Sequence, residues 1–181
     1  MTHKEYLELH HDRFIGELTE FLTFPSISTA PEHAGDVRAC GEWLIQHLKS
    51  IGIKNAELHE TPGHPIVYAE HCEAGPDKPT VLFYGHYDVQ PVDPLDLWDR
   101  SPFEPTLAQG DLGPVILARG ASDDKGQLMT FVEACRAWKA VHGTLPGKIS
   151  LFFEGEEESG SPSLVPFMHD NAAELTADVA M

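Results

Sequence analysis

The sequence predicts an α/β fold with three layers, helix–sheet–helix, around a mostly parallel sheet. Two observations carry this prediction. Segments with apolar residues at helical spacing alternate along the chain with short apolar runs. Two of those runs, "TVLFYG" at 80–85 and "KISLFFEG" at 148–155, do not alternate apolar with polar. Such strands are buried on both faces, as in a parallel sheet covered by helices. A chain of 181 residues fits one domain and can bury a sizeable core.

The elements follow in order. Residues 3–24 place Tyr6, Leu7, Leu9, Phe14, Ile15, Leu18, Phe21 and Leu22 at helical spacing, and Pro25 stops the pattern. "PSISTAPEHAG" reads as a loop. Residues 35–51 are a second helix, through Val37, Trp43, Leu44, Ile45 and Leu48. "IKNAELHE" and "PIVYAE" are strands separated by the turn "TPGH", and "TVLFYG" is a third. Residues 91–118 are rich in Pro and Asp, hence mostly loop, with a short strand near "VILA". Residues 127–141 form an amphipathic helix on Leu128, Phe131, Val132, Cys135 and Trp138. After "KISLFFEG" come a short helix near 163–174 and "ADVAM", which opens one more strand.

Composition excludes several function classes. Twelve basic residues against 29 acidic ones give a net charge of −17, which argues against nucleic acid and anionic membranes as partners. Cys40, Cys72 and Cys135 are odd in number and widely spaced, so each is expected to be a small core residue in a reducing compartment. The opening "MTHKEYLELHHDRF" lacks the apolar core of a signal peptide, and no stretch is apolar enough to span a membrane. A soluble, cytoplasmic protein is expected.

Three polar clusters follow strands: "HYD" after Gly85, "ASDDKG" after "VILA", and "EGEEESGS" after Phe153. The carboxyl ends of parallel strands share one edge, where ligands bind. Three segments would therefore bring His, Asp and Glu to one crevice, an inventory that suits zinc, cobalt or manganese. Each cluster also has a plainer reading. His86 alone could be a core histidine. But Asp88, at i+2, lies on the same side of an extended chain, and its carboxylate could hold one ring N–H while the other nitrogen faces a metal. Asp124 could cap the following helix, with Gln127 completing a capping box, which leaves Asp123 unexplained. Glu156, Glu157 and Glu158 could be a solvated acidic loop, but they abut a buried strand, where a cation would relieve their repulsion. The remaining histidines do not cluster in this way, and His10 and His11 read as surface. Asp93, Asp96 and Asp99 lack the spacing and central glycine of a calcium loop.

"GHYDVQP", "RGASDDKG" and "EGEEESGS", in that order, resemble metallopeptidase family M20, which includes carnosinase-like dipeptidases, carboxypeptidase G2 and succinyl-diaminopimelate desuccinylase. "WDRSPFEP" at 98–105 is most similar to the dipeptidase branch. The resemblance implies that His86 binds one metal and that Asp88 orients it. It implies that Asp123 bridges two metals, with a cis peptide bond after it in many relatives. Glu157 becomes the general base and Glu158 a ligand of the other metal, while Glu156 receives no role. The cofactors implied are two divalent ions, Zn2+ foremost, with Co2+ or Mn2+ as alternatives. The substrate implied is a small peptide or N-acyl amino acid, and the full-length protein is expected to be a homodimer.

The family also uses an aspartate shortly after an "ADVA"-like strand, a histidine near the far C-terminus, and an inserted lid and dimerisation domain. Residues 1–181 are therefore expected to be the N-terminal portion of the catalytic domain, with two protein ligands per metal and little activity alone. A deacylase or desuccinylase of the same family, or a non-catalytic α/β module, are the alternatives.

Overall fold

The computed structural model describes residues Met1–Met181. The first expected helix is two: α1 (His3–Leu9) and α2 (His11–Leu22). Thr2 and Glu5 form a capping box that starts α1. His10 leaves helical geometry at φ −111° and ψ 12°. Tyr6 of α1 and Phe21 and Leu22 of α2 are the buried residues of the pair. A one-turn 3-10 segment at Pro31–His33 leads into α3 (Ala34–Ser50). Then come β1 (Asn55–His59), β2 (Ile66–His71) and β3 (Thr80–His86).

Residues 91–118 hold more structure than expected. β4 (Thr106–Gly110) and β5 (Gly113–Leu117) form a separate antiparallel hairpin outside the main sheet. Gly113, at φ 133°, makes the turn possible. α4 (Lys125–His142), β6 (Lys148–Glu154), α5 (Leu164–Asp170) and β7 (Val179–Ala180) complete the chain. No helix is long and apolar enough to cross a membrane.

The main sheet has the order β1-β2-β6-β3-β7. It is mixed: β3 runs parallel to β6 and β7, whereas β2 runs antiparallel to both β1 and β6. The parallel part is the one formed by the two apolar runs. Their alternate residues build two cores. Val67, Ala69, Ile149, Leu151 and Phe153 face one side, with Phe21, Leu44, Leu48, Leu128 and Val132 from the helices. Ile66, Tyr68, Leu82 and Phe152 face the other, against Leu164 and Phe167 of α5. Each such fully buried side chain contributes about 1.5–3 kcal/mol, which is why β3 and β6 are held at the centre. Cys40 and Cys135 are buried as expected, but Cys72, at the end of β2, is exposed. Three residues past the buried Ala69, the strand has run out of sheet to cover it.

Candidate metal centre

β3 and β6 pair in register up to His86 and Glu154, so their carboxyl ends open side by side. His86 is the last residue of β3 and is buried. Its Nδ1–H points back at Asp88, 3.2 Å from the carbonyl oxygen and 3.3 Å from Oδ1. Its Nε2 points out, 3.0 Å from Oδ1 of Asp123. Asp88 is fully buried and is tied to β6's loop as well. Its Oδ1 accepts from the Glu157 N–H at 3.2 Å and its Oδ2 from the Glu158 N–H at 3.0 Å. One carboxylate thus orients the imidazole and fixes the turn that presents both glutamates. The ligand atoms of His86, Glu157 and Glu158 lie within 4.8 Å of one another.

Asp123 does not come from the end of a main-sheet strand. It lies in the loop between the β4–β5 hairpin and α4, and the N-terminus of α4 positions it. The "DDKG" stretch divides the work. Asp123 faces His86, with its side chain 74% exposed. The Asp123–Asp124 peptide bond is cis. Asp124 sits at the N-cap position of α4, but the expected capping box is absent. Its Oδ2 instead accepts from the backbone N–H of His86 at 3.1 Å. Gly85 makes that approach possible, since a Cβ there would stand 2.9 Å from the same oxygen. Lys125 turns away from the acidic cluster. Its Nζ donates to the carbonyls of Phe21 (3.2 Å) and Phe24 (2.9 Å). Gly126 lets the loop close, because a Cβ there would meet the Ala121 carbonyl oxygen at 2.0 Å.

Glu156, which had no role from sequence, is buried and structural. Its Oε1 accepts from the His64 N–H at 2.8 Å and its Oε2 from the Ser163 N–H at 3.1 Å. It holds the β1–β2 turn and the start of α5 against the site. Nothing in "GEEES" distinguishes this glutamate from its neighbours. Only the direction in which the chain turns after β6 does so.

The electrostatics of the centre suit a cation. Burial alone would lower the His86 pKa, but the hydrogen bond and charge of Asp88, with the charges of Asp124 and Glu157, raise it to about 9. Burial, followed by the charges of Asp123 and Glu157, raises the Glu158 carboxyl, against the opposing hydrogen bond from Gln90. Burial also raises Asp124. No lysine or arginine pairs with Asp88, Asp123, Asp124, Glu157 or Glu158. An outward imidazole nitrogen and crowded carboxylates with no lysine or arginine among them fit a borderline divalent ion.

One other histidine, His47, does cluster with carboxylates, contrary to expectation. Glu17, His47 and Glu133 also place ligand atoms within 4.8 Å. Here Arg136 occupies the middle: Nη1 donates to Glu17 Oε1 at 3.0 Å, and Nε lies 3.0 Å from Glu133 Oε2. The partners are up to 119 residues apart, so no sequence spacing shows them.

The family description "Peptidase family M20/M25/M40" matches residues 82–180, more than half of the chain. The chain is 33% identical over 172 residues to the Beta-Ala-His dipeptidase of Mus musculus, covering 88% of this chain and 34% of that one. It is 30% identical over 182 residues to a Cys-Gly metallodipeptidase of Schizosaccharomyces pombe, covering 96% and 37%. It superposes on the crystal structure of an M20 family metallo-carboxypeptidase from Sulfolobus solfataricus with a TM-score of 0.81 at 39% identity, over 93% of this chain and 36% of that one. The chain thus spans about a third of the length of these relatives. The matched span begins within β3, just before the outward-facing histidine, and takes in both acidic segments that converge on it. On that match the chain belongs to peptidase family M20/M25/M40.

Proposed function

We propose that the complete protein hydrolyses an amide bond in dipeptides or small N-acyl amino acids, with two divalent ions, zinc foremost, at the β3–β6 edge. Bound there, such ions polarise a carbonyl and lower the pKa of water. Asp88 keeps the proton of His86 on Nδ1 and so leaves Nε2 to ligate. Asp123, whose Oδ1 lies 3.0 Å from Nε2, would hold an ion together with His86. Glu157 takes a proton from the attacking water and delivers it to the leaving amine. Its backbone N–H is held by Asp88, so the base and the histidine are aligned through the same carboxylate. The remaining ligands and the specificity contacts would come from the part of the relatives' length that residues 1–181 do not span.

The observation that carries this reading is the three-way grip of Asp88 on His86, Glu157 and Glu158. The names of the similar dipeptidases favour a dipeptide over an N-succinyl or N-acetyl substrate. The test uses the complete protein, stripped with a chelator and then given Zn2+, Co2+ or Mn2+. Dipeptide hydrolysis should vanish, return with metal, and fail to return in His86→Ala. Full activity of verified metal-free protein would overturn the reading. Activity on N-acyl amino acids alone would move it to a deacylase.

A further inference from the structure

At the far end of α4 from the metal centre, two histidines meet. His142 is the last residue of the helix and His3 the first of α1. α4 is 18 residues long, so this pair stands about 27 Å along the helix from Lys125. Their Nε2 atoms are 3.0 Å apart. Trp138 holds both rings: His3 stacks on it at 4.7 Å and 23°, and His142 lies at 4.7 Å and 36°. The imidazole centroids are 4.8 Å apart, farther than the nitrogens, so the rings converge on the gap between them.

We propose that His3 and His142 form a second, surface divalent-metal site, taking Cu2+ or Ni2+ through both Nε2 atoms, with water completing the shell. Two imidazole nitrogens bound at about 2.1 Å at a right angle stand about 3.0 Å apart, which is the spacing found. Without a metal, one proton joins the two nitrogens in a hydrogen bond, one ring donating and the other accepting, and both rings also pack on Trp138. The ion would lie beside the last turn of α4, where the helix dipole favours a positive charge. Its structural consequence is a clasp between α1 and α4. The site stands independently of the proposed hydrolase reading.

The test uses protein carrying His86→Ala, so that the other centre does not mask the result. Cu2+ is titrated against tryptophan fluorescence and Ni2+ is followed by calorimetry. One saturable ion per chain is expected, with fluorescence quenched through Trp138. Affinity should fall at least about tenfold in His3→Ala and in His142→Gln, since each removes one of two ligands. It should be unchanged in His10→Ala. Bound Ni2+ should also slow hydrogen exchange in α1, a readout that non-specific binding would not move. No saturable binding, binding unaffected by both substitutions, or binding lost in His47→Gln instead would each overturn the site.

Discussion

The candidate metal centre and the Glu17–His47–Glu133 cluster offer the same ligand atoms: one imidazole and two carboxylates within 4.8 Å. They differ in where the compensating charge comes from. In the helical cluster it is built in. Arg136, with 11% of its side chain exposed, reaches Glu17 and Glu133, and His47 stacks flat on Trp43 at 4.9 Å and 13°. At the sheet edge the chain supplies no lysine or arginine; the one positive charge is the His86 imidazolium, which can give up its proton. Lys125, the nearest basic residue in sequence, spends its ammonium on two backbone carbonyls behind the site. The same donor set is therefore a closed structural network in one place and, in the other, a group left open for the ion proposed above. Counting histidines and carboxylates does not separate them, whereas locating the nearest fixed positive charge does.

The sharpest way to break this comparison is Glu157→Gln in the complete protein. It keeps the turn, whose contact with Asp88 is through the backbone N–H, but removes the proposed base. Turnover should fall about 10²- to 10⁴-fold with metal content unchanged. Near-normal kcat in metal-replete protein would remove Glu157 from that role.

Next is Arg136→Met, which keeps the apolar stem and deletes the resident cation. Breaking one side of a buried ion-pair network costs about 3–5 kcal/mol, readable in urea denaturation. Added Zn2+ should restore part of that stability, because Glu17, His47 and Glu133 would then resemble the other centre. An unchanged midpoint would show that Arg136 is not what closes the cluster.

A smaller effect is expected for Asp88→Asn. If Asp88 orients a ligand as proposed, it should contribute about 10- to 100-fold to metal affinity, less than His86→Ala removes. Equilibrium dialysis with Zn2+ measures both. Equal losses would make Asp88 a direct ligand.

The smallest is a pH slope. His86 has its pKa raised from 6.5 to about 9 in the metal-free protein. Its contribution to stability is therefore complete below about 6.5 and is lost as pH rises through about 9. Metal binding runs the opposite way, since Nε2 must lose its proton first. Affinity should climb about tenfold per pH unit up to that range and then flatten. A flat profile from pH 6 to 9 would mean that His86 binds no ion.

Much of the site is legible in the sequence because its chemistry sits on local features. The non-alternating runs announce β3 and β6, and the residues just past them are what such strands present at their carboxyl ends. His86 and Asp88 share a side because extended backbone repeats every two residues. The helices are legible where one apolar face persists, as in α3 and α4, whereas the break at His10 is hidden because the apolar spacing continues through it.

By itself, then, the sequence determined the α/β class, the two central strands and the residue types at their ends, because burial patterning and strand period act within a few neighbours. Tertiary structure alone decided the rest. It made the sheet mixed, put β4 and β5 in a hairpin of their own, and brought Asp123 in from a helix N-terminus rather than a strand end. It turned Asp124 from a helix cap into a clamp on the His86 backbone, and Glu156 from a bystander into a buried tie. It set Arg136 among Glu17, His47 and Glu133, from three different helices. The physical reason is common to all of these. A carboxylate's role depends on which donor or cation stands within about 3 Å of it, and that neighbour is chosen by packing across tens of residues, not by spacing along the chain.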